Sequence, residues 1–285
     1  MAHVKDADHF ELPGVMGGKH YLPQLNTGFS VQPKTGLALI DDHLEKFDLK
    51  LTKFMVLEVV AAVLIIALFS WLAQRISKGE APKGRMTNFL ESLVLYIRDQ
   101  VARPAIGGHH ADHFVPFLLT LFFFVLGMNL LGMVPWAGSA TGALATTGTL
   151  ALITFGTVIF SGMAELGPVH FWQAQVPHMD LPLPLAILLN PMIFAIEVMG
   201  LVIKHFILAM RLLANMFAGH LVLAVILAFI AAASTSGYAL WAGVTISSLL
   251  GATALSLLEL FVAFLQAYIF TFLSALFIGS AVHPH

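Results

Sequence analysis

LAILLNPMIFAIEVMGLVIKHFILAMRLLANMFAGHLVLAVILAFIAAA (185–233) is an apolar stretch of 49 residues with a single early proline, Pro191. As one helix it extends roughly 73 Å, whereas the hydrocarbon core of a bilayer is only about 30 Å thick. WAGVTISSLLGATALSLLELFVAFLQAYIFTFLSALFIGS (241–280) is a second such block, 40 residues long and roughly 60 Å by the same rise. Each must be broken, protrude, or lie steeply tilted, and Ser234-Thr235-Ser236-Gly237 supplies the turn between them.

Working outward, Gly142–Leu166 reads as another span, rich in Thr and Gly, whose small residues permit close helix approach. Val115–Pro135 and the 20-residue run Phe54–Ala73 are two more, each about the length needed to cross the core. Pro168–Pro184 (PVHFWQAQVPHMDLPLP) reads as a loop. Residues 88–102 place Leu90, Leu93, Val94, Ile97 and Val101 at helical spacing, and Asn88 with Glu91 caps the start. This amphipathic helix lies either on the cytoplasmic membrane surface or against a partner's soluble stalk. The expected fold is an all-α polytopic membrane protein with about five membrane helices and one surface helix. Its last two helices are long and steeply tilted, and they form an antiparallel hairpin. Residues 1–53 form an extramembrane N-terminal segment, and 54–285 a single membrane domain.

Composition agrees with lipid as the main solvent. The 285 residues are 58% apolar and 11% charged, with a mean hydropathy of +0.87, against about 25% charged in a soluble domain. The absence of cysteine excludes disulfide frameworks, thiolate metal sites and cysteine nucleophiles. Charge placement says more than the net value of −2. Six lysines fall in residues 1–53, and six basic residues (Arg75, Lys78, Lys83, Arg85, Arg98, Arg103) in 75–103. Only Lys204 and Arg211 remain in the 182 residues beyond Arg103, so the basic stripe of a nucleic-acid binder is missing. The cationic segment after the first span is cytoplasmic by the positive-inside rule, which puts the N-terminus outside. No cleaved signal peptide is evident at the start.

Within the two long blocks sit Glu197, Lys204, Arg211, Asn215, His220, Glu259 and Gln266. A charge at the centre of a membrane helix costs on the order of 2.5–3.5 kcal/mol, so such residues are read as functional by default. Residues 197, 204 and 211 are seven apart, successive members offset by only about 20°, and Asn215 extends that face by a turn. Glu259 and Gln266 are again seven apart. If Arg211 and Gln266 share a depth, His220 and Glu259 lie about 13 and 10 Å further outward, and Glu197 and Lys204 occupy the inner half. Two polar pockets then open to opposite sides, with an arginine between them. His220, nine residues on, faces away from Arg211 on a straight helix. The bland alternatives are that Arg211 merely bridges helices through Gln266 or an acid, and that Lys204 snorkels to the surface. Glu58 reads as interfacial. His109, His110, Asp112 and His113 cluster with weak metal-ligand spacing and read as a hydrated loop.

At RLLANMFAGH (211–220) the pattern resembles the signature helix of subunit a of F-type ATP synthases. NPMIFAIEVMGLVIKHFILAMR (190–211), LLELFVAFLQAYIFTFLSALFIG (257–279) and FVLGMNLLGMVP (124–135) resemble other parts of that family, over roughly residues 88–280. Some bacterial relatives carry an acid where His220 stands and a histidine near the Glu259 position. Here the pair is exchanged, as in mitochondrial members, and one acid and one imidazole are kept. The family's Asn-x-Thr of the third span is Thr147-Gly148-Thr149 here, and residues 1–53 carry no motif of the family.

The resemblance implies a stator that passes protons through two offset half-channels to and from the carboxylates of a rotating c-subunit ring, coupling the gradient to ATP synthesis. It implies a non-catalytic subunit without cofactor or metal, partnered by the c ring, b-type peripheral stalk subunits and the bilayer. The location implied is a bacterial plasma (inner) membrane, with the C-terminus cytoplasmic. Arg211 is the fixed charge, His220, Glu259 and Asn215 line the outer pocket, Gln266 orients Arg211, and Glu197 lines the inner pocket with Lys204 as a possible accessory. Two other classes bury polar groups. A secondary transporter would show an internal repeat with paired broken helices, and none is visible. An intramembrane enzyme needs a nucleophile–base or paired-His arrangement; His205 and His220 have no matching pair, and HExxH is absent. Co-isolation with a c ring and a stalk separates the first reading from both.

Overall fold

The computed structural model describes residues 9–11, 19–22, 30–31, 47–48, 52–76, 84–134, 138–175, 183–235 and 237–283. Most of the N-terminal segment therefore lies outside the described residues. Within it β1 (His9–Glu11) pairs antiparallel with β2 (Lys19–Tyr21), Phe10 opposite His20, and β3 (Ser30–Val31) pairs with β4 (Phe47–Asp48).

The rest is helical. In order come α1 (Lys53–Ile76), α2 (Arg85–Tyr96), a π-helical turn (Ile97–Ala102), α3 (Arg103–Ile106), α4 (Gly108–Gly132) and a 3₁₀ turn (Ala140–Gly142). There follow α5 (Leu144–Leu166), α6 (Pro168–Gln173), α7 (Leu183–Ala233) and α8 (Tyr238–Val282). Five of these, α1, α4, α5, α7 and α8, are long and apolar enough to cross a membrane. The chain is an all-α polytopic membrane protein. The last two are unbroken at 51 and 45 residues, so of the ways to fit such lengths into a bilayer, breakage is excluded. Pro191, the ninth residue of α7, sits within the helix without ending it, although it cannot donate to the carbonyl four residues back.

Helix α8 is the centre of the packing, against α7, α4 and α5. Its inner face alternates small and large residues: Ala263, Ala267, Phe270, Ser274, Ala275, Ile278 and Gly279 are all buried. Without a hydrophobic force between helices in lipid, small residues that let backbones approach supply the packing energy. At Gly279 the approach is closest, because a Cβ there would overlap the backbone carbonyl of Ala105 in α3. Gly279→Ala is expected to cost about 1–3 kcal/mol, the usual range for overpacking a tight site. The yield of assembled complex in native gels should fall accordingly; an unchanged yield and melting temperature would show that α3 can yield.

Two segments differ from the sequence reading. The stretch expected as one surface helix changes to π geometry at Ile97, and its apolar side is covered by the chain itself, since Leu90, Ile97, Val101 and Ala102 are buried. Arg103 bonds Asp99 at 2.9 Å and Asp112 at 3.4 Å, which ties this unit to α4. The Arg98 guanidinium, bonded to Asp99 at 3.0 Å, holds that carboxyl below the usual range. The stretch read as a loop from Pro168 begins instead with α6, where Pro168 takes the first helical position that its fixed φ favours. The rest of that stretch up to residue 182, apart from 174–175, lies outside the described residues.

Candidate functional site

Helix α7 carries the polar residues on two sides. Its buried stripe is His205, Leu208, Leu212 and Met216, at the i, i+3, i+7, i+11 positions of a helix face. Arg211 and His220 flank that stripe from opposite sides, both half-buried. Glu197, Lys204 and Asn215 are exposed on the same side as Arg211. The seven-residue spacing therefore produces a line of polar groups along the open face of the helix. The misfit that spacing alone gave for His220 disappears, because the seam runs between the two side chains.

Across the seam, α8 presents Glu259 and Gln266 toward the interior, 8% and 3% exposed. Asn215 Nδ2 donates to Gln266 Oε1 at 2.8 Å. His220 Nδ1 lies 3.9 Å from Glu259 Oε1. Residues 215 and 220 thus face 266 and 259, which fixes α7 and α8 as antiparallel neighbours. This register corrects the assumed depth alignment. Gln266 is held by Asn215, not by Arg211, which stands one turn, about 6 Å, further along. Arg211 makes no hydrogen bond or ion pair among the described residues.

The interior between these helices has unsatisfied polar capacity. Glu259 Oε1, His220 Nε2, Gln266 Nε2 and Asn129 Oδ1 are buried without a hydrogen-bond partner. Buried polar atoms of this kind are satisfied by water in most proteins. Gly219 makes room for the Glu259 carboxylate itself: a Cβ there would stand 2.5 Å from Glu259 Oε1.

Three polar contacts were not singled out by sequence reasoning. Asn129 of α4 donates to the backbone carbonyl of Ala263 at 3.2 Å; its place in an apolar run was the available signal. Thr146 of α5 donates to Glu58 Oε1 at 2.8 Å, so the carboxylate expected at the interface bonds across to another helix. No signal separates Thr146 from its neighbouring threonines. His205 is buried between the rings of Phe155 and Phe277, at 5.1 and 5.0 Å, with Nδ1 2.8 Å from the Leu201 carbonyl. The His109–His113 cluster belongs to the first turns of α4, not to a loop. The His109 side chain lies outside the described set, and no metal-holding group of three ligands occurs among the described residues.

A family model described as "ATP synthase A chain" matches residues 55–279, which include Glu197, Arg211, Asn215, His220, Glu259 and Gln266. The chain belongs to the ATP synthase subunit a family. It is 44% identical to the ATP synthase subunit a of Myxococcus xanthus over 242 residues, 84% of this chain and 76% of the relative. It is 38% identical to ATP synthase subunit a 2 of Chlorobaculum tepidum over 274 residues, 95% and 74% of the two chains. The subunit a of an Anaeromyxobacter species is 35% identical over 300 residues, 100% of this chain and 70% of that one. Subunit a forms the proton channel of the F-type ATP synthase, so this membrane protein serves ion transport coupled to ATP synthesis as a component of that complex.

Proposed function

We propose that the chain carries protons through two offset half-channels to and from the carboxylates of a c-subunit ring, with Arg211 as the electrostatic divider between them. The observation that carries this reading is the position of Arg211: half-buried at mid-helix, without a hydrogen bond or ion pair among the described residues, on a face lined by Glu197, Lys204 and Asn215. A guanidinium there needs a passing anion from outside the chain.

The rest follows from elementary electrostatics. Arginine stays protonated at every working pH and cannot relay a proton itself. Its charge lowers the pKa of a carboxyl that approaches it, whereas a carboxyl facing lipid is cheaper neutral. A ring carboxylate must therefore deposit its proton on one side of Arg211 and collect another on the far side. His220, Glu259 and Asn215, with the partnerless atoms beside them, line the outer pathway. Glu197 lines the inner one, with Lys204 as an accessory charge. Gln266 acts through Asn215 and so positions the turn that follows Arg211. Each charge crossing 100 mV supplies about 2.3 kcal/mol, so several transfers are summed per ATP. The subunit adds no catalytic group of its own to ATP synthesis. A b-type stalk holds it against rotation in a bacterial inner membrane, N-terminus outside and C-terminus in the cytoplasm.

The open face of α7 gives a direct test. The chain contains no cysteine, so single cysteines can be placed without clearing a background. Ile207→Cys, one turn before Arg211 on the same face and 49% exposed, should form cross-links to c subunits carrying a cysteine at the matching depth in the intact complex. Ala209→Cys, on the buried side of the same helix, should not. Cross-links from residue 207 to the stalk alone, or equal yields from both positions, would reject the ring-facing assignment.

A further inference from the structure

Where α4 begins and α5 and α8 end, a cleft of about 900 Å³ opens on the side of the molecule away from the α7–α8 seam. Its two parts are chemically unlike. The mouth is polar, formed by His110 and His113 from the first turns of α4 and by Glu165 from the last turn of α5. His110 Nε2 lies 3.7 Å from Glu165 Oε1, and the His110 ring meets the His283 ring edge-on at 5.5 Å. The floor is an apolar face of α5 that includes Leu152, Ile153, Gly156 and Phe160. Leu152 and Phe160 are 69% and 72% exposed.

The hydrophobic spans begin at His110 and end at Leu166. The mouth therefore stands at the depth of lipid headgroups, and the floor descends from it into hydrocarbon. From Glu165 to Leu152 is roughly 20 Å along the helix, enough to cross one leaflet of a core about 30 Å thick. Gly156 keeps the floor open, because a Cβ there would meet only Phe160, at 4.0 Å.

We propose that this cleft binds one phospholipid with a primary-ammonium headgroup, of the phosphatidylethanolamine type. An acyl chain lies along the α5 floor, the ammonium donates to Glu165, and the phosphate accepts from the imidazole N–H groups of His110 and His113. Charge complementarity selects this headgroup over the others. The mouth holds an acceptor carboxylate and imidazole donors within a few ångströms, which matches a zwitterion. A purely anionic headgroup would meet the Glu165 carboxylate. The quaternary ammonium of phosphatidylcholine has no N–H for the carboxylate.

The test uses the intact ATP synthase in nanodiscs of equimolar phosphatidylethanolamine and phosphatidylcholine, partly delipidated, with retained lipids counted by native mass spectrometry. Retained phosphatidylethanolamine should exceed phosphatidylcholine by roughly threefold at this site, the scale of a half-exposed charge contact. Glu165→Gln should bring that ratio to unity. Gly156→Leu, which fills the floor and leaves every charge in place, should lower the total of retained lipid by one per complex. Four results would overturn the proposal: equal retention in the unaltered complex; an unchanged ratio in Glu165→Gln; preferential retention of phosphatidylglycerol when it is the competitor; or labelling of a protein subunit, not lipid, from a photoreactive side chain at position 153.

Discussion

Replacement of Arg211 by alanine is expected to abolish ATP synthesis driven by a proton gradient and proton pumping driven by ATP. An adjacent positive charge lowers a carboxyl pKa by about 1–3 units, so its removal reduces the ionised fraction of a passing acid by roughly ten- to a thousandfold. The divider between the pathways disappears with it, and a passive proton leak through the membrane sector becomes possible. Acid–base-pulsed vesicles measure synthesis, and quenching of a pH-sensitive dye on ATP addition measures pumping. Arg211→Lys should fail as well, because an ammonium on a flexible stem lacks the planar fork and loses its proton more readily when desolvated. Vesicles containing Arg211→Ala that still acidify on ATP addition would refute the role. Because Arg211 bonds to nothing else among the described residues, loss of assembly is not the expected cause of failure; the quantity of assembled complex in the same vesicles checks this.

Glu259→Gln is the second large effect expected. Glutamine keeps the shape of the side chain and a polar oxygen toward His220, 3.9 Å away, but cannot take up or release a proton. General acid–base groups typically contribute 10²–10⁴ in rate, so proton flux through the outer pathway should fall by at least about tenfold. A merely structural Glu259 would be rescued by glutamine, and full flux in this variant would end the assignment. Gly219→Ala makes the complementary test. Its Cβ would stand 2.5 Å from Glu259 Oε1, so the carboxylate must swing away from His220 while both groups remain titratable. Flux should drop in this variant too, with the complex intact.

Sequence alone determined that this protein lives in a membrane, how many times it can cross, and which residues within the crossings are costly enough to need a reason. Span length, the near absence of charge beyond residue 103 and the burial cost of Arg211, Glu197 and Glu259 are all properties of a single chain, and RLLANMFAGH carried the family resemblance. The tertiary structure decided who meets whom. Helical spacing gives each side chain an angle about its own axis, but neither the angle at which the neighbouring helix sits nor the axial register between two helices. That register, a relation between residues some fifty apart in the chain, gave Gln266 to Asn215 instead of Arg211 and brought His220 to Glu259. It also joined Glu58 to Thr146 and Asn129 to the backbone of Ala263. Pro191 and Ile97 show the same division at the level of the backbone: a proline passed within an unbroken helix, and a regular apolar pattern hid a π turn, because residue type biases the local backbone without fixing it.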